Sequence, residues 1–304
     1  GDFDLDFTGD PGFLRIDGVA GAGEVPLTVI DAQDLDRIFD VQAGGMSDTS
    51  TLEISDVILR NGKPPETSSD GGAILIRDDD AQFDLTNARV ENSDANRWGG
   101  GLANLNGVLG LDLDITQVEF SGNDATDDGG AVWADGPQDE GTIDVRRSAL
   151  VNNHSDQMGG GIYIKSDGDT GAEPVVQLIN STVSGNTADV AGGGVAFAFG
   201  LGGTLFTRFS TIANNSTPSA GQAGGIDTTP GVNEFILSTG TILAGNTAAG
   251  APANCEDPDE FSGSSVESGP TACFPGATVA DPLLAPLTYN AVGDQTTRTH
   301  GLYD

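Results

Sequence analysis

Trp133 and Tyr163 stand at matching places in two successive copies of one sequence pattern, and each is followed two residues later by a charge, Asp135 and Lys165. If Val132 and Ile162 point inward on neighbouring parallel strands, the two rings point outward about 4.8 Å apart. Aromatic plates beside polar groups suit stacking on a sugar chain. The plainer alternative is that the rings cover an exposed strand or meet an inserted loop. A second candidate lies just beyond, where Asp167, Asp169 and Glu173 surround a glycine with the spacing that opens a calcium loop. The rest of an EF-hand loop is missing, so a weak calcium site competes here with a solvated acidic loop. Asp78 to Asp80 and the pair Asp127 and Asp128 are further acidic turns.

Catalysis finds less support. A lyase needs a base near neutral pH and a cation against the substrate carboxylate. Near the middle coils the plausible basic groups for this role are Arg77, Arg146, Arg147 and Lys165, while His154 and His300 are far apart in sequence and form no obvious dyad. A hydrolase needs two carboxylates about 5–9.5 Å apart. Asp135 with Asp167 or Asp169 is one such pair, but a chain with 46 acidic residues makes such pairs by accident. No zinc spacing, nucleophile elbow or phosphate loop is present, and no catalytic residue is assigned.

What must position these side chains is a pattern of about thirty residues that recurs seven times between Leu52 and Asn246. Each copy is anchored on one slot, held in turn by Gly62, Ser93, Asn123, Asn153, Asn186, Asn215 and Asn246. Three residues earlier stand Leu59, Val90, Phe120, Leu150, Val183, Ile212 and Leu243. Ten earlier stand Leu52, Phe83, Leu113, Ile143, Val176, Leu205 and Ile236. Positions ten and eight before the slot share one face of a strand, and the column three before it breaks that alternation. A bend and a second short strand follow from this. A glycine-rich triplet then leads to Ile74, Leu102, Val132, Ile162, Val195 and Ile226, which read as a third strand entered through a tight corner. Three short strands per coil, repeated in register, make an all-β parallel β-helix, a solenoid whose coils need their neighbours. Asn123, Asn153, Asn186, Asn215 and Asn246 are expected to form a structural ladder in one corner, because asparagine tolerates left-handed turns and its amides bond along the stack.

Three regions follow: 1–50 as irregular capping coils, 51–249 as the repeats and 250–304 as an irregular C-terminal cap. The two cysteines, Cys255 and Cys273, fall in the last. A bridge between them is favoured over two buried thiols, and it would contribute about 3 kcal/mol in the chain-entropy model. The 304 residues carry a net charge of −34, with Lys63 and Lys165 the only lysines. That charge disfavours nucleic acid and anionic membranes as partners. Cations, cationic surfaces and neutral polysaccharides remain. At 1 M salt the Debye length is about 3 Å and the self-repulsion largely vanishes, which suggests a saline or calcium-rich setting. No apolar run approaches the roughly 20 residues of a membrane span. A chain opening at Gly1 without Met looks processed, and export is expected.

The segments DLDRIFDVQAG (34–44), GNDATDDGGAV (122–132), SGNTA (184–188) and DPLLAPL (281–287) resemble secreted β-helix proteins that carry CSLREA-type N-terminal and choice-of-anchor C-terminal segments. FSGN (120–123) followed by GGAV (129–132) is similar to the repeat pair of polymorphic outer-membrane proteins, strictly in that one copy. The resemblance implies a right-handed, pectate-lyase-like helix exported to the cell surface, usually without assigned activity. The expectation is a non-enzymatic extracellular β-helix in adhesion or in matrix or filament assembly, as a homo-oligomer, with glycan or calcium binding as additions. The alternative is a polysaccharide lyase or glycoside hydrolase working on the face around Trp133 and Tyr163.

Overall fold

Besides the glycine corner, two columns in every coil turn the chain by taking left-handed backbone. Six positions before the slot these are Asp56, Asn87, Gln117, Arg147, Asn180, Phe209 and Gly240, with φ between 49° and 64°. One position before it they are Asn61, Asn92, Gly122, Asn152, Gly185, Asn214 and Gly245. The slot residue itself is not left-handed. The expectation that its asparagines were suited to that turn is corrected by one residue, and their role is hydrogen bonding.

The structure is a computed structural model that describes residues 2–7, 13–43, 50–67, 69–77, 81–105, 112–136, 142–166, 175–199, 203–228, 234–256, 261–269, 272–289 and 297–302. Its coils wind into an all-β, right-handed parallel solenoid. A fifteen-stranded bent sheet holds the first two strands of each coil, a seven-stranded sheet of two-residue strands follows the slot, and an eight-stranded sheet holds the third strand. Neighbouring coils are in register, so Leu59, Val90, Phe120, Leu150, Val183, Ile212 and Leu243 are stacked partners. All seven belong to one continuous buried core. Each such side chain contributes about 1.5–3 kcal/mol by leaving water. The glycine corner packs too closely for side chains. A Cβ on Gly100 would lie 2.4 Å from the carbonyl oxygens of Asp124 and Gly130.

Inside the corner, the asparagines bond coil to coil. Asn123 donates its amide to Asn153 Oδ1 at 3.0 Å, Asn153 to Asn186 at 2.9 Å, Asn186 to Asn215 at 3.0 Å and Asn215 to Asn246 at 2.9 Å. Asn246 in turn donates to Asn254 at 2.9 Å. Each Oδ1 also accepts the backbone N–H of the preceding slot, as Asn153 does from Asn123. A shorter serine series runs beside it, with Ser148 and Ser181 each donating its backbone N–H to the next hydroxyl, Ser181 and Ser210.

Both flanking regions continue the stack. Strands Phe13–Asp17 and Thr28–Asp31 pair in parallel with Ser50–Ser55 and Val57–Arg60, and Phe3–Phe7 pairs with Phe39–Ala43. At the other end Phe261–Glu267 adds in parallel to Glu234–Ala244. The chain then returns along the outside as an antiparallel hairpin, Leu284–Tyr289 with Arg298–Leu302. Arg298 forms an ion pair with Glu119 at 2.9 Å, Tyr289 donates its hydroxyl to the same carboxylate at 3.2 Å, and His300 lies 2.8 Å from the Ser184 hydroxyl. Glu119 is 1% exposed.

Candidate functional site

The third-strand sheet carries Leu75, Ala103, Trp133, Tyr163, Ala196 and Asp227 as one register column on the side opposite the core residues. Trp133 and Tyr163 do stand side by side, but they are 2% and 7% exposed. They form a second small apolar cluster with Ala196, against which Trp98, Leu105, Met158 and Ala198 pack. Trp98 lies flat on Trp133, with ring centres 4.5 Å apart and planes 4° from parallel. Arg97 covers the far face of this stack, its guanidinium 3.8 Å from the Trp98 ring. The expected open plates are therefore covered, because Trp98 and Met158, from the corners before two of the third strands, pack against them. Asp135 and Lys165 are register neighbours and half-buried. Asp167, Asp169 and Glu173 lie outside the described residues.

On the outer face of the bent sheet a different column is found. Arg15, Glu53, Asp84, Asp114 and Asp144 are successive register partners, one per coil. Four carboxylates thus follow one another at a coil spacing of about 4.8 Å. Burial, with Asp84 and Asp144 on either side, pushes the Asp114 carboxyl up to about 6. Burial also raises Asp84, with Glu53 adding to it. Arg146 reaches Asp144 at 2.5 Å. Such a row concentrates negative charge on this face, and Asp114 keeps its proton up to about pH 6.

The N-terminal coils carry an acidic cleft of about 440 Å³ lined by Asp2, Asp4, Asp40, Asp70, Arg37 and Arg77, among others. Its charges are largely matched. Arg37 bonds Asp2 at 3.2 Å and Asp40 at 2.7 Å, Arg77 grips Asp40 with two nitrogens, and Arg97 does the same to Asp70.

Among the described residues, two groups bring three potential metal ligands together: Asp2, Asp4 and Asp40, and His154, Asp156 and Asp189. Burial works against a charged His154 ring, but the hydrogen bond to Asp124 and the nearby Asp189 carboxylate outweigh it and hold its pKa above the usual histidine value. Sequence spacing missed this second group because Asp189 comes from the next coil, which leaves only His154 and Asp156 close in the chain. It becomes visible only once His154 is set beside Asp124 and Thr187 in register.

No family model matches this chain, and neither a curated protein nor a solved structure does. No helix among the described residues is long and apolar enough to cross a membrane.

Proposed function

We propose that this protein is a non-catalytic extracellular scaffold, a rigid β-solenoid that works in adhesion or assembly by joining further copies of itself through its N-terminal end. The observation that carries the reading is the state of that end. Strands Phe3–Phe7 and Phe13–Asp17 are the outermost members of their sheets among the described residues, each paired on one side only. Phe13 is 65% exposed, Phe3, Val19, Leu27 and Leu35 are exposed as well, and Phe3 and Leu35 line one cavity. Single-sided strands with bare aromatic side chains are a template for pairing with another chain.

The disulfide and the charge of −34 support a place outside the cell, as does the resemblance to exported β-helix proteins. The same charge opposes contact between copies in dilute buffer, and salt relieves it. Calcium at Asp167, Asp169 and Glu173 would relieve it locally. Sedimentation velocity and electron microscopy in dilute and molar salt test the reading. Assemblies that grow with salt and are lost in Phe13→Asp are expected. Monomers in every condition would overturn it.

A further inference from the structure

We propose that His154, Asp156 and Asp189 form a surface site for a divalent first-row transition metal, with Asp124 as the residue that orients the imidazole. One ring nitrogen and one carboxylate oxygen from each aspartate lie within 4.8 Å of one another. Their backbones are fixed by the coil ladder: Asp156 donates its N–H to Ala125 O and Asp189 to Ser155 O, both at 3.0 Å. The three ligands therefore sit on a rigid two-coil platform.

The ring geometry separates this group from a mere patch of acids. Nδ1 lies 2.5 Å from Asp124 Oδ1, a firm hydrogen bond. A carboxylate on one ring nitrogen is the usual device that turns the other toward a metal. Nε2 faces Asp189 Oδ1 at 3.5 Å, long for an N–H···O bond, while Asp156 Oδ1 lies 3.8 Å from Nδ1 and within 4.8 Å of the Asp189 oxygen. Two donors on one tetrahedral ion with bonds of about 2.0–2.2 Å stand about 3.3–3.6 Å apart. The Nε2–Oδ1 spacing is within the range that two ligands of one tetrahedral ion adopt.

Neighbouring coils lack the combination. At the place of His154, the two preceding coils carry Asp124 and Asp94, and Asp94 is taken by Lys63 at 2.9 Å. At the place of Asp156 and Asp189 those coils carry Thr126 and Asn96. Imidazole with carboxylates suits zinc, nickel, copper or cobalt, whereas calcium takes six to eight oxygens. Water completes the coordination, and the ring proton competes with the metal.

Zinc alone is the probe, titrated calorimetrically onto the whole chain at pH 7.5 in molar sodium chloride, which suppresses diffuse binding to the acidic surface. One zinc per chain is expected, weakened tenfold or more in His154→Gln and in Asp189→Asn and resistant to excess calcium. Cobalt should show the intense visible bands of a low-coordinate site, lost in His154→Gln. Far-UV circular dichroism confirms that the variants keep the fold. Zinc binding unchanged in His154→Gln, or no stoichiometric binding to the wild type, would sink the proposal. The outcome is independent of whether the chain assembles.

Discussion

The two ends of the solenoid are finished in different ways. At the C-terminal end the Cys255–Cys273 disulfide, with Cα atoms 5.9 Å apart, ties the last turns together. Phe274 is wholly buried in the core there. The buried Glu267 carboxylate accepts the Ser265 hydroxyl and the N–H groups of Cys273 and Phe274. Asn254 terminates the asparagine ladder. At the N-terminal end the outermost strands among the described residues are paired on one side only, with Phe13 in water. A repeat that stacks on its neighbours specifies how to continue and contains nothing that stops it. Stopping requires residues foreign to the repeat, and among the described residues such a group gathers around the Cys255–Cys273 bridge and Glu267.

The same substitution at each end separates the two most sharply. Phe274→Ala should cost about 3–5 kcal/mol, because it empties a filled core position. Phe13→Ala should stay within about 0.5 kcal/mol, because the ring is already solvated. Urea denaturation of both variants measures the gap, and equal costs would erase the distinction. Next in size, replacing Cys255 and Cys273 together by serine should remove about 3 kcal/mol by the loop-entropy model for an eighteen-residue separation. A double variant as stable as the parent would mean that packing around Phe274 closes the end without the bridge.

The smallest effect is expected between the ends. Asp114 holds its proton up to about pH 6 when folded, against about 3.9 for a free aspartate. The folded state therefore binds the proton more tightly, and its stability falls as pH rises from about 4 past 6. Asp114→Asn should raise the melting temperature at pH 7.5 and leave it unchanged near pH 4. Because the side chain is partly solvated, the gain is modest. A rise of the same size at both pH values would point to packing instead of charge.

The core was legible because its column tolerates only bulky apolar side chains, from Leu59 to Leu243, and no other arrangement keeps seven such residues dry. The slot asparagines were legible for the same reason, since each buried amide must find partners one coil away. The left-handed residue six before the slot was not, because Asp56, Gln117, Arg147 and Phe209 share no chemistry; the neighbouring coils impose its conformation. Parity placed Trp133 on the outer side of its strand, but parity is silent on what covers that side, and Trp98 comes from a different coil. The carboxylate row lay in plain view one position from a core column. The hairpin that reaches Glu119 could not be read, since its bonds span 170 residues or more.

That hairpin has a consequence for the order in which the molecule is made. Arg298 and Tyr289 are synthesised long after Glu119, and until they arrive this carboxylate has no guanidinium from the tail to meet it. His300 likewise reaches back 116 residues to the Ser184 hydroxyl. A chain cut short before Tyr289 would therefore lack the cover that this hairpin gives the Glu119 carboxylate.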